Sequence, residues 1–191
     1  MACTVDRFIA RSDDSYDFFL TEGEQVADLH AAFPETIPAF FREKLGITSE
    51  NQCFDAVVMG RKTYEMGLKE GISNPYPQMK QFVVSQTLRD PDSDIELVSS
   101  NPVALVRELK QQPGIDIWLC GGSNLATVLF PEINEMILKV HPILLGCGIP
   151  LFAGAIPQVL LSLTNSKIYH NGFMLLHYQF KHAETTSGRA F

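Results

Sequence analysis

The chain has 191 residues, a formal net charge of −7, a pI near 5.2 and 46% hydrophobic residues. That length suits one domain with a sizeable core, and a charged fraction of only 19% excludes extended disorder. With 22 acidic against 15 basic residues there is no general electrostatic footprint for nucleic acid or an anionic membrane surface, so a bound phosphate must be held by a local device.

In chain order, the pattern predicts strands at 7–10, 54–59, 81–85, 95–98, 115–120, 135–140, 166–170 and 173–181. Several are short apolar runs bounded by turn residues, as expected for strands buried on both faces. Helical patterns fall between them. Ile37, Phe40, Phe41 and Leu45 recur at helical spacing, and 63–69 reads as a short helix. Asn101 followed by Pro102 is an N-cap with proline at the first helical position, opening a helix through Leu109. A further helix at 123–130 is stopped by Pro131. This alternation predicts a mixed α/β fold with a mostly parallel sheet flanked by helices. Asn171-Gly172 between two apolar runs predicts an antiparallel C-terminal hairpin. The chain reads as one domain over 1–181 with a polar tail at 182–191.

The cysteines (Cys3, Cys53, Cys120 and Cys147) are far apart and form no C-x-x-C pair, and no His/Cys/Asp cluster predicts a metal. The N-terminus lacks the apolar core of a signal peptide, and the apolar stretches at 136–145 and 151–163 are too short or interrupted to span a bilayer. A reduced, cytoplasmic protein without membrane or nucleic-acid partners is expected.

Two strand ends carry a chemical signal. The first runs into Gly60, Arg61, Lys62 and Thr63 as a helix begins. Glycine admits close approach of a ligand, and a helix start offers free N–H groups and the positive dipole end. Cations there oppose the dipole by about 0.3–1 kcal/mol each, a conflict that a bound anion removes. The bland alternative is a solvated basic first turn. The second strand runs into Gly121, Gly122, Ser123, Asn124 and Leu125, which alone is equally an ordinary βα turn and is not a G-x-G-x-x-G fingerprint. Two such ends in one parallel sheet fit a dinucleotide pyrophosphate. A third strand end, Ser85-Gln86-Thr87, adds hydrogen-bonding side chains but reads equally as a polar turn.

These segments, in this order, resemble the dihydrofolate-reductase-like superfamily, in particular the branch grouped with the C-terminal reductase domain of the bifunctional riboflavin-biosynthesis deaminase/reductase. The resemblance is carried by 57–65 (Val-Val-Met-Gly-Arg-Lys-Thr-Tyr-Glu), 82–87 (Phe-Val-Val-Ser-Gln-Thr), 117–123 (Ile-Trp-Leu-Cys-Gly-Gly-Ser), 142–152 (Pro-Ile-Leu-Leu-Gly-Cys-Gly-Ile-Pro-Leu-Phe) and the final hairpin. It implies an NADPH-dependent reductase acting on a small heterocycle, similar to 5-amino-6-(5-phosphoribosylamino)uracil reductase, and a homodimer to which the apolar hairpin contributes an interface unless it is core. It also implies that Gly60–Thr63 and Gly121–Leu125 hold the pyrophosphate, that Ser85, Gln86 and Thr87 read the adenosine ribose, and that Leu145-Gly146 approaches the ligand.

The chain departs from the family at three places. Gln86 stands where arginine is usual, which shifts 2′-phosphate recognition onto Arg61 and Lys62. Arg7 replaces a glycine in the segment 4–10. Most of the first strand is missing, so either the start lies elsewhere or the nicotinamide end is altered. The helix acid of folate reducers is absent, which disfavours that activity. Among the remaining acids (Asp17, Glu35 and Asp28), Asp17 is the first choice as proton donor, because flanking aromatics would desolvate it. Phe40, Phe41 and Tyr64 are expected to wall a heterocycle pocket, with core packing as the alternative. The rival function is a nucleotide-binding module without turnover.

Overall fold

The computed structural model describes residues 1–181 and 189–191. In chain order, β1 (Ala2–Thr4), β2 (Phe8–Ala10), α1 (Glu24–Ala32), α2 (Ala39–Leu45), β3 (Phe54–Gly60), α3 (Arg61–Lys69), β4 (Lys80–Val84), β5 (Ile95–Val98), α4 (Pro102–Gln111), β6 (Asp116–Gly121), α5 (Ser123–Val128) and β7 (Glu135–His141) lead to the short β8 (Ile149–Pro150) and the hairpin β9 (Leu161–Ile168) and β10 (Met174–Phe180). One four-stranded sheet, β5-β4-β3-β6, is entirely parallel. The other, β1-β7-β10-β9, pairs β1 parallel to β7 and β10 antiparallel to both its neighbours. β2 and β8 form a small antiparallel ribbon. The mixed α/β architecture follows the sequence pattern, but the sheet is divided between β6 and β7.

The apolar run of β3 follows from burial on both faces. Ala56 and Val58 pack with Phe82, Val106, Leu109, Leu125 and Leu129 on one side; Val57 and Met59 pack with Tyr64, Tyr76, Met79 and Val83 on the other. α4 starts as its sequence predicts: the Asn101 side chain accepts the Ala104 N–H at 3.2 Å and Pro102 opens the helix. In the hairpin, the Gly172 N–H donates to Tyr169 O and the Tyr169 N–H to Phe173 O, both at 2.9 Å. Gly172 takes the left-handed conformation at φ 82°, closing a three-residue loop of the type I plus bulge kind.

Several elements differ from the sequence pattern. α1 was not anticipated because, apart from Leu29 on the hairpin's apolar cluster, the contacts that dock it are polar: Asp28 accepts from Tyr169 Oη and Lys167 Nζ, and Gln25 Oε1 from Asn171 Nδ2. β9 begins at Leu161 rather than 166, as an edge strand with an exposed, largely polar face. In α2 only Ile37, just before the helix, is buried, while Phe40, Phe41 and Leu45 are exposed. Phe40 and Phe41 pack edge-to-face on each other, and Lys44 Nζ sits 4.0 Å over the Phe40 ring. Of the tail, 182–188 lies outside the described residues. Residues 189–191 are not a solvated tail: Phe191 is buried in the main core, its carbonyl accepting the Asn134 and Glu135 N–H groups, and Ala190 O accepts the Ile117 N–H. The hairpin's Phe173, Leu175 and Phe180 are core, and its exposed apolar residues are Leu163 and Ile168 on β9. No helix among the described residues is long and apolar enough to cross a membrane.

Candidate functional site

Three strand ends meet at the carboxyl edge of the parallel sheet. β3 lies between β4 and β6, with Gly60 opposite Val84 and Met59 opposite Gly121. Gly60–Thr63, Ser85–Thr87 and Gly121–Leu125 therefore stand side by side. Gly122 has φ +108°, a conformation that L side chains avoid. Gly60 is different. Its φ is an ordinary −78°, and an added Cβ would come no nearer than 3.7 Å to Gly121 O. Neither backbone nor internal packing requires glycine at 60, whereas a ligand lying against this strand end would.

The α3 start is left open. No side chain caps it, and its first turn carries Arg61 and Lys62 but no acid. α4, which starts after β5 at the outer strand of the same edge, is capped by Asn101. Both cations of this first turn have partners: Arg61 Nη1 lies 2.7 Å from Glu65 Oε1, and Lys62 Nζ donates to both Asp14 oxygens at 2.9 and 2.8 Å. Asp14 belongs to the segment after β2, which thereby reaches across to the cradle. That segment is held again at its far end, where the Leu20 N–H donates to His141 Nδ1 at 3.1 Å and the Phe19 ring packs at a tilt against the His141 ring, centroids 4.4 Å apart.

The hydroxyls of the cradle are partly engaged. Ser123 Oγ donates to Pro150 O at 2.5 Å, tying the β6–α5 turn to β8. Ser85 Oγ accepts the Thr87 and Leu88 N–H groups at 3.1 and 2.9 Å, shaping the turn and leaving Gln86 and Thr87 exposed. Thr63 Oγ1 lies 3.6 Å from where a Cβ on Gly121 would stand, so it faces the second glycine turn.

The expected substrate and proton-donor residues do not converge with this cradle. Tyr64 is 1% exposed, its hydroxyl donating to Ser73 O at 2.8 Å, so it is core and walls no pocket. Phe40 and Phe41 cluster on the surface of α2. Asp17 is 79% exposed and paired with Arg11; the aromatics beside it in sequence do not desolvate it. Glu35 is fully buried, its carboxylate accepting the Gln52, Cys53 and Phe54 N–H groups, a backbone staple. Sequence reasoning also missed Asp6. Its carboxylate accepts the Thr4 hydroxyl and the Leu145 and Gly146 N–H groups, the last at 2.7 Å, and holds the 144–148 loop. Those bonds, first that of Thr4 and then that of Gly146, keep the Asp6 carboxyl below its ordinary value. No sequence signal marks a contact across 140 residues. Arg7, next to it, is left-handed at φ 68°, a conformation that glycine adopts without strain.

A separate cavity of about 380 Å³ lies between β6 and β7, lined among others by Phe33, Phe54, Trp118, Ile137, Lys139 and Phe191. No cradle residue from 60–63, 85–87 or 121–125 lines it. Ionisable groups around this seam are driven toward their neutral forms. Burial, then the charge of Lys139, lowers the Met1 amine to about 5, and burial raises the Cys120 thiol to about 11. Burial likewise pushes Lys139 down and Tyr76 well up.

Residues 47–175 match the RibD C-terminal domain family. The chain is similar to two uncharacterized proteins of Bacillus subtilis (strain 168). It is 28% identical to YyaP over 149 residues, covering 71% of this chain and 79% of that protein. It is 30% identical to YwjB over 184 residues, covering 93% and 94%. Among solved structures, a putative riboflavin biosynthesis protein from Shewanella sp. PV-4 superposes with a TM-score of 0.67 at 23% identity, covering 95% of this chain and 97% of that one. A diaminohydroxyphosphoribosylaminopyrimidine deaminase/5-amino-6-(5-phosphoribosylamino)uracil reductase from Thermotoga maritima superposes with a TM-score of 0.63 at 14% identity. This chain, over 94% of its length, spans about half (54%) of that bifunctional protein. With its ordered strand-end motifs on a parallel sheet closed by an antiparallel hairpin, the chain belongs to the RibD C-terminal domain family and has its reductase-like fold.

Proposed function

We propose that the protein is an NADPH-dependent reductase of a small heterocyclic substrate. The observation that carries this reading is Gly60: a glycine that its own backbone and neighbours do not require, placed where the uncapped start of α3 meets the second glycine turn. The open N–H groups of 61–63 bind the pyrophosphate, helped by the dipole of α3. Gly60 and Gly122 let the two strand ends approach it closely, Thr63 adds a hydroxyl, and Ser85–Thr87 take the adenosine ribose at the next strand end. The segment carrying Asp14 spans the mouth and limits water there. When bound, NADPH supplies the hydride.

The second reading, nucleotide binding without turnover, is favoured by one observation: the candidate acid Asp17 is exposed and ion-paired rather than desolvated. Thermal unfolding with NADPH, NADH and NADP⁺ tests the binding that both readings share. Ligand at about 100 times its Kd adds roughly 2.7 kcal/mol, which raises Tm by about 5–10 °C. No rise with any of the three rejects the cradle. A rise with NADPH, without oxidation of NADPH in the presence of ribosylamino-pyrimidine substrates, selects the second reading.

A further inference from the structure

A cation stands at the end of β4 that neither the sequence pattern nor the pyrophosphate cradle accounts for. Arg89 is exposed, and its guanidinium folds back over the turn at 86–88, Nη1 donating to the carbonyl oxygens of Leu88 at 3.1 Å and Gln86 at 3.3 Å. These are neutral partners. Among the described residues Arg61 is paired with Glu65 and Lys62 with Asp14, whereas no carboxylate lies within ion-pair distance of Arg89. The nearby acids face elsewhere: Asp92 accepts from the Ser73 hydroxyl, and Asp94 from the Asn74 amide. Asp90 follows Arg89 directly, with left-handed backbone at φ 48°.

The placement of this cation matters because β4 adjoins β3, with Val84 in register with Gly60. The 85–89 turn is therefore the strand end beside the open start of α3. In nucleotide-binding α/β sheets an acid near that neighbouring position accepts the ribose 2′-hydroxyl, whereas an arginine accommodates a 2′-phosphate. Residues 85–89 contain no acid and one arginine. A guanidinium with only carbonyl partners exchanges them readily for a phosphate, which it meets through charge-assisted, paired N–H bonds.

We infer that Arg89 is the specificity-determining residue for a 2′-phosphorylated adenosine: it supplies from the turn the positive charge that Gln86 lacks, while Arg61 and Lys62 stand at the start of α3, on the pyrophosphate side of the cradle. The inference rests on the dinucleotide reading of the cradle proposed above.

Calorimetric titration of NADPH and NADH into the parent protein, Arg89→Ala, and Arg89→Ala combined with Gln86→Arg tests both levels separately. Loss of one charge-assisted contact predicts an NADPH Kd raised by about 10- to 100-fold in Arg89→Ala, with the NADH Kd within about 2-fold of the parent. Returning an arginine at 86 recovers most of the NADPH affinity. Equal weakening of both cofactors, or unchanged discrimination, overturns the role of Arg89 and leaves the cradle standing. A parent protein that binds neither cofactor overturns the cradle reading and Arg89 with it.

Discussion

At the carboxyl ends of β3, β4 and β6, the charged side chains are exposed or half-buried, and the pairs they make are open to water: Arg61 with Glu65, Lys62 with Asp14, and Arg89 with carbonyl oxygens alone. Along the seam between β6 and β7, burial pushes two ionisable groups toward neutrality, the Met1 amine down to about 5 and the Cys120 thiol up to about 11. Exposed pairs contribute roughly 0–1 kcal/mol each and are exchanged at little cost when a ligand brings its own charge. Buried groups cannot be exchanged so cheaply, because each must be desolvated or neutralised before the chain folds. The charges of the first region can change partners, whereas those of the second are fixed where the two sheets meet, although both regions border the same parallel layer.

The largest effect that would sharpen this contrast lies at the seam. Phe191 is 6% exposed, and its backbone bridges β7 through the Asn134 and Glu135 N–H groups. Phe191→Ala should cost about 3–5 kcal/mol and lower Tm by roughly 6–15 °C, read by calorimetry. A shift below about 1 °C would mean that the chain end does not close the seam.

His141 comes next. It is 4% exposed beside β1, and burial, then the charge of Lys139, holds its imidazole down from 6.5 to about 4. The unfolded chain takes up this proton near 6.5 and the folded protein only near 4. Stability from this group is therefore constant above pH 6.5 and falls as the pH drops through that window, by up to about 3 kcal/mol. Urea midpoints measured at pH 7 and pH 4 should diverge less in His141→Phe than in the parent. Equal divergence would assign the acid sensitivity to other groups.

The smallest effect on stability, and the most informative for the cradle, is Asp14→Asn. Removing an exposed partner of Lys62 should leave Tm within about 2 °C of the parent and tighten NADPH about 2- to 5-fold, as Lys62 is released toward the phosphate. Weaker binding in a stably folded variant would show that Asp14 orders the mouth rather than competing for the cation.

Much of the fold was legible because its determinants are local. The β3 run is apolar on both faces, Asn101-Pro102 caps and opens α4, and Asn171-Gly172 closes the hairpin, each through geometry set within a few residues. The glycine strand ends were legible for the same reason, and the sheet order does bring them together. The α2 face failed because periodicity reports spacing but not what a helix meets; Phe40 and Phe41 meet each other and Lys44. Tyr64 failed in the opposite direction: an aromatic next to a binding motif turned inward, under the sheet. α1 was invisible because polar bonds to the hairpin and the single apolar contact of Leu29 dock it, and such contacts leave no apolar period.

By itself the sequence determined the mixed α/β class, the order of the strands and helices other than β1, α1 and β8, the hairpin and the glycine-rich strand ends, since these follow from hydrophobic period, turn chemistry and capping over short stretches. The tertiary structure alone decided which charges are free at the cradle, that Asp6 holds a loop 140 residues away, that Phe191 enters the core, and that the sheet divides between β6 and β7. These outcomes depend on which distant groups become neighbours once the chain is packed, and a charge or a carboxylate carries no local mark of the partner it will meet.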